Sequence, residues 1–142
     1  MAAAVHGSAG FFSLDNAGGS VIDLTAFVRE VNFTLDDAIH DTTTFGQVAH
    51  TKTVGLKDGK FTATFVSSAT PLAQIVAMFA AQTPGTATTW SFVFGPRGST
   101  SGYEKFPGEC LIASLPIPAV VDNIEMLTVS FEVSGAVVPT TF

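Results

Sequence analysis

Gly98-Ser99-Thr100-Ser101-Gly102 has the outline of a nucleophile elbow, the Gly-x-Ser-x-Gly turn that presents a serine hydroxyl for attack on a carbonyl. Thr100 stands where the serine belongs, and no strand-turn-helix pattern surrounds it, so the run reads as a flexible hairpin tip. His40 and Asp41 lie beside Asp36 and Asp37, residue types that together could ligate a divalent cation. Ligands need rigid elements and recognisable spacing, and this cluster opens an irregular polar stretch, so it reads as a solvated turn. Cys110 is the only cysteine, which excludes an intrachain disulfide. A nucleophilic thiol needs a base and electropositive surroundings; beside Leu111 and Ile112, Cys110 reads as a small buried hydrophobe. Glu104 with Glu109, and Glu125 with Glu132, could form acid–base pairs, but that chemistry depends on a separation across a cleft that no local spacing supplies. No Gly-Lys-Ser/Thr loop is present to cradle a nucleotide phosphate. Asn32-Phe33-Thr34 matches a glycosylation acceptor, but Met1–Gly7 lacks the basic start of a secretory leader. The expectation is a protein without catalytic residues, metal or cofactor.

Composition explains more than any motif. Charged residues make up 13% of the 142 residues, against about 25% in an average soluble domain, while Phe occurs 13 times and mean hydropathy is +0.42. A lone globule normally wets its surface with charge, so the chain reads as a subunit whose surface is covered by neighbours. The net charge is −6, and Arg29, Lys52, Lys57, Lys60, Arg97 and Lys105 form no stripe, which argues against gripping nucleic acid. No apolar run approaches the roughly 20 residues of a membrane span, and the chain is expected to stay in the cytoplasm where it is made. Length suggests one domain over residues 1–142, with flexible ends at about 1–10 and 138–142.

Period-2 alternation predicts half-buried strands over Arg29–Asp36, Lys60–Val66, Thr88–Phe94 and Ile124–Val133. Glu109–Leu115, apolar on both faces, reads as a central strand; Phe11–Leu14 and Val137–Val138 read as short edge strands. Asn16–Ser20, Asp58-Gly59, Gly95–Gly102, Pro116–Pro118 and Asp122-Asn123 read as turns, and Asp23 as the cap of a shorter turn of helix over Leu24–Phe27. A helix is predicted over about 70–82, capped by Thr70, with Pro71 in its first turn and Leu72, Ile75, Val76 and Phe79 as its apolar face. The fold class is therefore mainly β: an antiparallel sandwich or barrel with one packed helix and a long, non-periodic loop over about 37–53. Loops of that length in a compact domain usually have a task.

Several phrases in order resemble the major tail tube proteins of long-tailed (siphovirus-type) bacteriophages. They are Asp23-Leu24-Thr25-Ala26-Phe27-Val28 leading into Glu30-Val31-Asn32-Phe33; Thr42-Thr43-Thr44-Phe45-Gly46; Gly55-Leu56-Lys57-Asp58-Gly59-Lys60-Phe61; the Ala/Leu helix from Pro71 to Gln82; and Leu127-Thr128-Val129-Ser130-Phe131 ending in Ser134-Gly135-Ala136-Val137. Gly95–Phe106 has no counterpart in the resemblance. The resemblance implies a β-sandwich flanked by a helix, with copies closing into six-fold rings that stack into a hollow tube through which DNA passes unbound. It also implies no catalytic residue or cofactor, and as partners the tape measure protein, tail terminator and distal tail proteins. The location it implies is the virion tail, after synthesis in the host cytoplasm.

On that resemblance the bore is expected to be lined by the polar faces of two strands: Glu30, Asn32, Thr34 and Asp36, with Thr128, Ser130 and Glu132. Stacking is assigned to an arm, Ala38–Thr53, expected to be disordered alone and ordered on assembly. Its contact candidates are Ile39, His40, Asp41, Thr42, Thr43, Thr44, Phe45, His50 and Lys52, with Ala2–Phe11 and Pro139–Phe142 as helpers. Three other readings fit the same composition. One is a monomeric β-sandwich binding or adhesin-like module. Another is a barrel with Phe side chains and Trp90 around a small ligand. The third is a different tail component, such as a terminator or a contractile-type tube subunit.

Overall fold

A computed structural model of the chain describes residues 10–85, 88–117, 119 and 126–142. In chain order the elements are β1 (Phe11–Asp15), β2 (Val21–Asp23), β3 (Val28–Asp41), β4 (Lys52–Val66), α1 (Ala69–Ala81), β5 (Trp90–Gly95), β6 (Glu104–Ser114), β7 (Met126–Ser134) and β8 (Thr140–Thr141). The strands form one antiparallel sheet in the order β2-β1-β5-β6-β7-β4-β3, with β8 beside β6, so the expected mainly-β fold with one helix is what forms. Among the described residues, no helix is long and apolar enough to cross a membrane.

The sheet curls until its ends face each other. Phe33 on β3 reaches the rings of Phe92 and Phe94 on β5 at 5.7 and 6.0 Å, and Phe12 on β1 reaches Phe61 and Phe65 on β4 at 6.0 and 6.1 Å. The inward residues of the alternating strands make this core: Phe61, Ala63 and Phe65; Trp90 and Phe92; Leu127, Val129 and Phe131. Phe61 stacks on its cross-strand partner Phe131 at 4.6 Å. Each buried ring of this kind contributes roughly 1.5–3 kcal/mol.

The helix departs from expectation in its cap and its face. Ser68, not Thr70, holds the extended cap position, and its hydroxyl makes no capping bond. The buried face is Pro71, Gln74, Ile75 and Met78, while Val76 and Phe79 are exposed. Gln74 turns inward because the end of β1 needs donors: its amide donates to the carbonyl oxygens of Leu14 and Asp15 at 3.2 and 3.1 Å. The turn of helix expected after β2 forms as a turn only, with Thr25 N–H donating to the Asp23 carboxylate at 2.9 Å as the expected cap.

Four strand expectations are corrected. Phe11–Leu14 is not an edge: β1 lies between β2 and β5. Asp58-Gly59 is not a turn but lies inside β4, where Gly59 makes room for the Leu35 and Val133 side chains. Val137–Val138 is not a strand; Thr140–Thr141 pairs with Glu104–Lys105 instead. The loop expected over 37–53 is shorter, because β3 runs to Asp41 and β4 starts at Lys52, leaving 42–51 as the connection. The end expected to be flexible is fastened: Phe142 N–H donates to the Tyr103 carbonyl at 3.0 Å, and the Phe142 ring meets Phe11 edge-on at 5.6 Å. The expectations for residues 1–9, for Pro118, for the Asp122-Asn123 turn and for Ile124 and Glu125 lie outside the described residues.

Candidate functional site

Residues directly opposite each other in an antiparallel ladder point to the same side of the sheet. Glu30 faces Thr64, which faces Thr128; Asn32 faces Thr62, then Ser130; Thr34 faces Lys60, then Glu132; Asp36 faces Asp58. The seven residues expected at the bore, Glu30, Asn32, Thr34, Asp36, Thr128, Ser130 and Glu132, therefore share one face, opposite the core. Asp58, Lys60, Thr62 and Thr64 of β4 fill the space between them. The alternation of β4 is plain in the sequence, but its place between β3 and β7 depends on a pairing across 64 positions, as in Thr64 with Thr128.

This face is hydroxyl-rich and acidic. Thr64 and Thr128 share a hydroxyl hydrogen bond at 3.2 Å, and the Asn32 amide donates to Glu30 at 2.9 Å. Glu30, Asp36, Asp58 and Glu132 bring four carboxylates to it, and Lys60 the one ammonium. Such a surface offers phosphates hydration and repulsion, with no fork of cations to hold them.

Beyond Leu35 and Gly59 the β3–β4 ladder leaves the body as a ribbon with nearly every residue exposed. Lys57 pairs with Asp37 at 2.9 Å, and the His40 ring lies over Gly55, where any Cβ would strike its Nε2. The tip expected to be irregular is knitted by hydrogen bonds. Thr42 N–H donates to the Thr51 carbonyl, Thr51 N–H to the Thr43 hydroxyl, and Thr44 N–H to the Gln47 side-chain oxygen, at 2.8, 2.9 and 2.7 Å. The hydroxyl and amide of Thr43 hold the Asp41 carboxyl below its ordinary range, with His50 3.5 Å away. Ile39, His40, Asp41 and Lys52 are thus strand residues, and Thr42, Thr43, Thr44, Phe45 and His50 belong to the connection. Phe45 and Val48 stand fully exposed at the tip.

At the other end of β3 lies a groove of about 680 Å³ lined by Phe11, Phe12, Val28, Val31, Phe94 and Pro96, with Arg29 and Glu30 also on its wall. Sequence reasoning missed this groove, because it joins the two ends of the sheet order. Arg29 makes no ion pair among the described residues.

The groups considered for chemistry have other partners. Arg97 clamps both oxygens of Glu104 at 3.0 and 3.1 Å and lies over the Tyr103 ring at 4.5 Å, which structures the Gly95–Gly102 turn. Glu109 accepts from Ser91 and Thr89 hydroxyls at 2.6 and 3.0 Å. Burial, with help from the Glu109 and Asp15 carboxylates, pushes the Cys110 thiol far up, so it stays protonated. Asp36, Asp37, His40 and Asp41 do not converge, and among the described residues no three His, Cys, Asp or Glu side chains gather as a metal site.

No protein-family model matches the chain, and no curated protein matches it. Solved structures do. A chain from the tail of an empty gene transfer agent particle, refined helically with C6 symmetry, superposes with a TM-score of 0.76 at 14% identity, covering 97% of this chain and 100% of the other. A chain from the virion of a native gene transfer agent particle gives 0.74 at 14%, with coverage of 97% and 100%. A chain from the 6-fold symmetrised baseplate of the anti-feeding prophage gives 0.65 at 10%, with coverage of 99% and 98%. At these identities the likeness is one of fold.

Proposed function

We propose that the chain is a structural subunit of a phage-like tail, with six copies closing into a ring and rings stacking into a tube through which DNA passes. The observation that carries this reading is the continuous face of Glu30, Asn32, Thr34 and Asp36 with Asp58, Lys60, Thr62 and Thr64 and with Thr128, Ser130 and Glu132. It supports the reading because a conduit must be wet and must not hold its cargo. Six copies at −6 each carry a formal −36, and carboxylates lining a bore act on phosphates within the roughly 8 Å Debye length. Among the described residues the 14-residue β3 has one unpaired edge, a hazard in a monomer that neighbouring copies would cover. The C6 symmetry of one structural neighbour supports the ring count. The tape measure protein, terminator and distal tail proteins are the partners this role requires, and the virion tail is its location. Under this reading the chain is not an enzyme and needs no cofactor.

Negative-stain microscopy of the purified chain tests the proposal. Six-fold rings and tubes are expected. Rings that never stack would reassign the chain to another ring-forming tail component. A monomer at millimolar concentration, without annular or filamentous species, would overturn the proposal.

A further inference from the structure

The hairpin tip and the apolar groove sit at opposite ends of the same strand. Val28 lines the groove and Asp41 starts the tip, thirteen residues apart at about 3.3 Å each, or roughly 43 Å along β3. A strand held in a ladder cannot fold back on itself, so the tip of a copy cannot reach its own groove. A second copy displaced along β3 can. We infer that Phe45 and Val48 of one copy seat in the groove of the next copy along the stack, against Val28, Val31, Phe94 and Pro96, with Asp41 meeting Arg29. This rests on the tube reading and names the receiving surface.

Three observations commit the groove to a second copy. Each surface is what the other lacks: the connection 42–51 carries no residue of fixed charge and ends in two fully exposed apolar side chains, and the groove wall is mostly aromatic and aliphatic. One charge pair fits: Arg29 on the groove has no ion-pair partner among the described residues, its neighbour Glu30 on the wall already accepts from Asn32, and Asp41 at the base of the tip, held below its ordinary range by Thr43, has only His50 nearby, at 3.5 Å. The geometry is directional, too. A contact joining the two ends of one strand is heterologous and head-to-tail, and with successive copies displaced along β3 rather than rotated about a closed ring it leaves one tip and one groove free to extend. The tip also needs little ordering to bind, since Thr42, Thr43, Thr44 and Gln47 already hold its backbone.

The test compares assembly of the full chain and its variants by electron microscopy and sedimentation. Phe45→Asp should keep rings and lose tubes. Arg29→Glu and Asp41→Arg should each shorten or abolish tubes, and the double variant should restore them. Chains bearing Val48→Cys and Pro96→Cys, mixed and oxidised, should crosslink only in the mixture, since Cys110 is buried. Normal tubes from Phe45→Asp, or no restoration in the charge swap, would overturn the inference while leaving the tube reading intact. Wild-type chain that never forms rings or tubes would instead defeat the tube reading. Crosslinking of Val48→Cys to Val76→Cys on α1, with none to Pro96→Cys, would move the docking site to the helix and overturn the inference. A Pro96→Cys crosslink that appears only after residues 2–9 are deleted would assign the groove to the chain's own N-terminal segment and would likewise overturn it.

Discussion

The side chain of Gln82 closes both backbone groups of Ile112. Ile112 N–H donates to Gln82 Oε1 at 2.7 Å, and Gln82 Nε2 donates to the Ile112 carbonyl at 3.0 Å. Ile112 pairs with Phe131 on β7, but on its other side it has no strand partner, because β5 begins only at Trp90, opposite Cys110. The Gln82 amide takes the place of the missing strand residue. It also accepts from Trp90 Nε1 at 3.1 Å, so one residue just past α1 fastens the helix to the sheet.

Replacing Gln82 with Leu should therefore destabilise the domain by about 1–3 kcal/mol, since it strands backbone groups of Ile112 and the Trp90 N–H. Urea unfolding followed by Trp fluorescence reads this directly. Gln82→Glu keeps the acceptor and loses the donor, so it should fall between the wild type and Gln82→Leu.

Gly95 has no room for a side chain. An added Cβ would lie 2.7 Å from the Gly98 carbonyl oxygen and 2.7 Å from the Phe142 ring. The ring can swing away, but the backbone cannot. Gly95→Ala should cost about 1–3 kcal/mol by overpacking and release the C-terminus. Faster hydrogen exchange at Phe142 and Gly102, whose N–H groups are tied in this turn, is the expected signature.

Asp41 makes the tip sensitive to acid. Its folded pKa lies below the ordinary 3.8 because Thr43 donates to the carboxylate. The associated stabilisation is present above 3.8 and is lost as pH falls through the folded value. The contribution of Asp41 to tip contacts should thus be lost only in strong acid. Thr43→Val should return the Asp41 carboxyl towards its ordinary range, as an NMR titration would record.

Charge on the polar face can be inverted without touching the core. Changing Glu30, Asp36 and Glu132 to Lys takes each subunit from −6 to zero, three reversals of two charges each. Rings should persist, because all three side chains are exposed. Genome ejection should slow, and tubes should retain DNA in a manner relieved by salt. Unchanged ejection kinetics would remove these residues from the bore.

Legibility followed burial. Where one face packs on the core, as along Phe61, Ala63 and Phe65 or Leu127, Val129 and Phe131, alternation marks the strand within a few residues. Beyond Asp36 both faces of the ladder are wet, nothing enforces alternation, and strand residues from Asp37 to Asp41 look like loop. Gln74 hid the true helix face because a glutamine is read as solvent-facing until the carbonyls it satisfies are known. The polar residues of the candidate site were each visible, but their union required the β4–β7 pairing. The groove was invisible, being made by sheet ends that meet only after the sheet curls.

The hairpin should be dispensable for folding and indispensable for stacking. From Leu35 outward its side chains are exposed, and its ladder is held by backbone bonds and pairs such as Lys57 with Asp37. Deleting Ala38–Thr53 joins Asp37 to Val54 and leaves the rows from Glu30–Thr64 to Asp36–Asp58 in register. The melting temperature should stay near that of the wild type, because none of the buried core residues is removed. Tubes should be absent, since the deletion takes Phe45, Val48 and Asp41 together. Tubes of normal length from this chain would mean that the rings hold one another through other surfaces, and the hairpin would have no part in the stack.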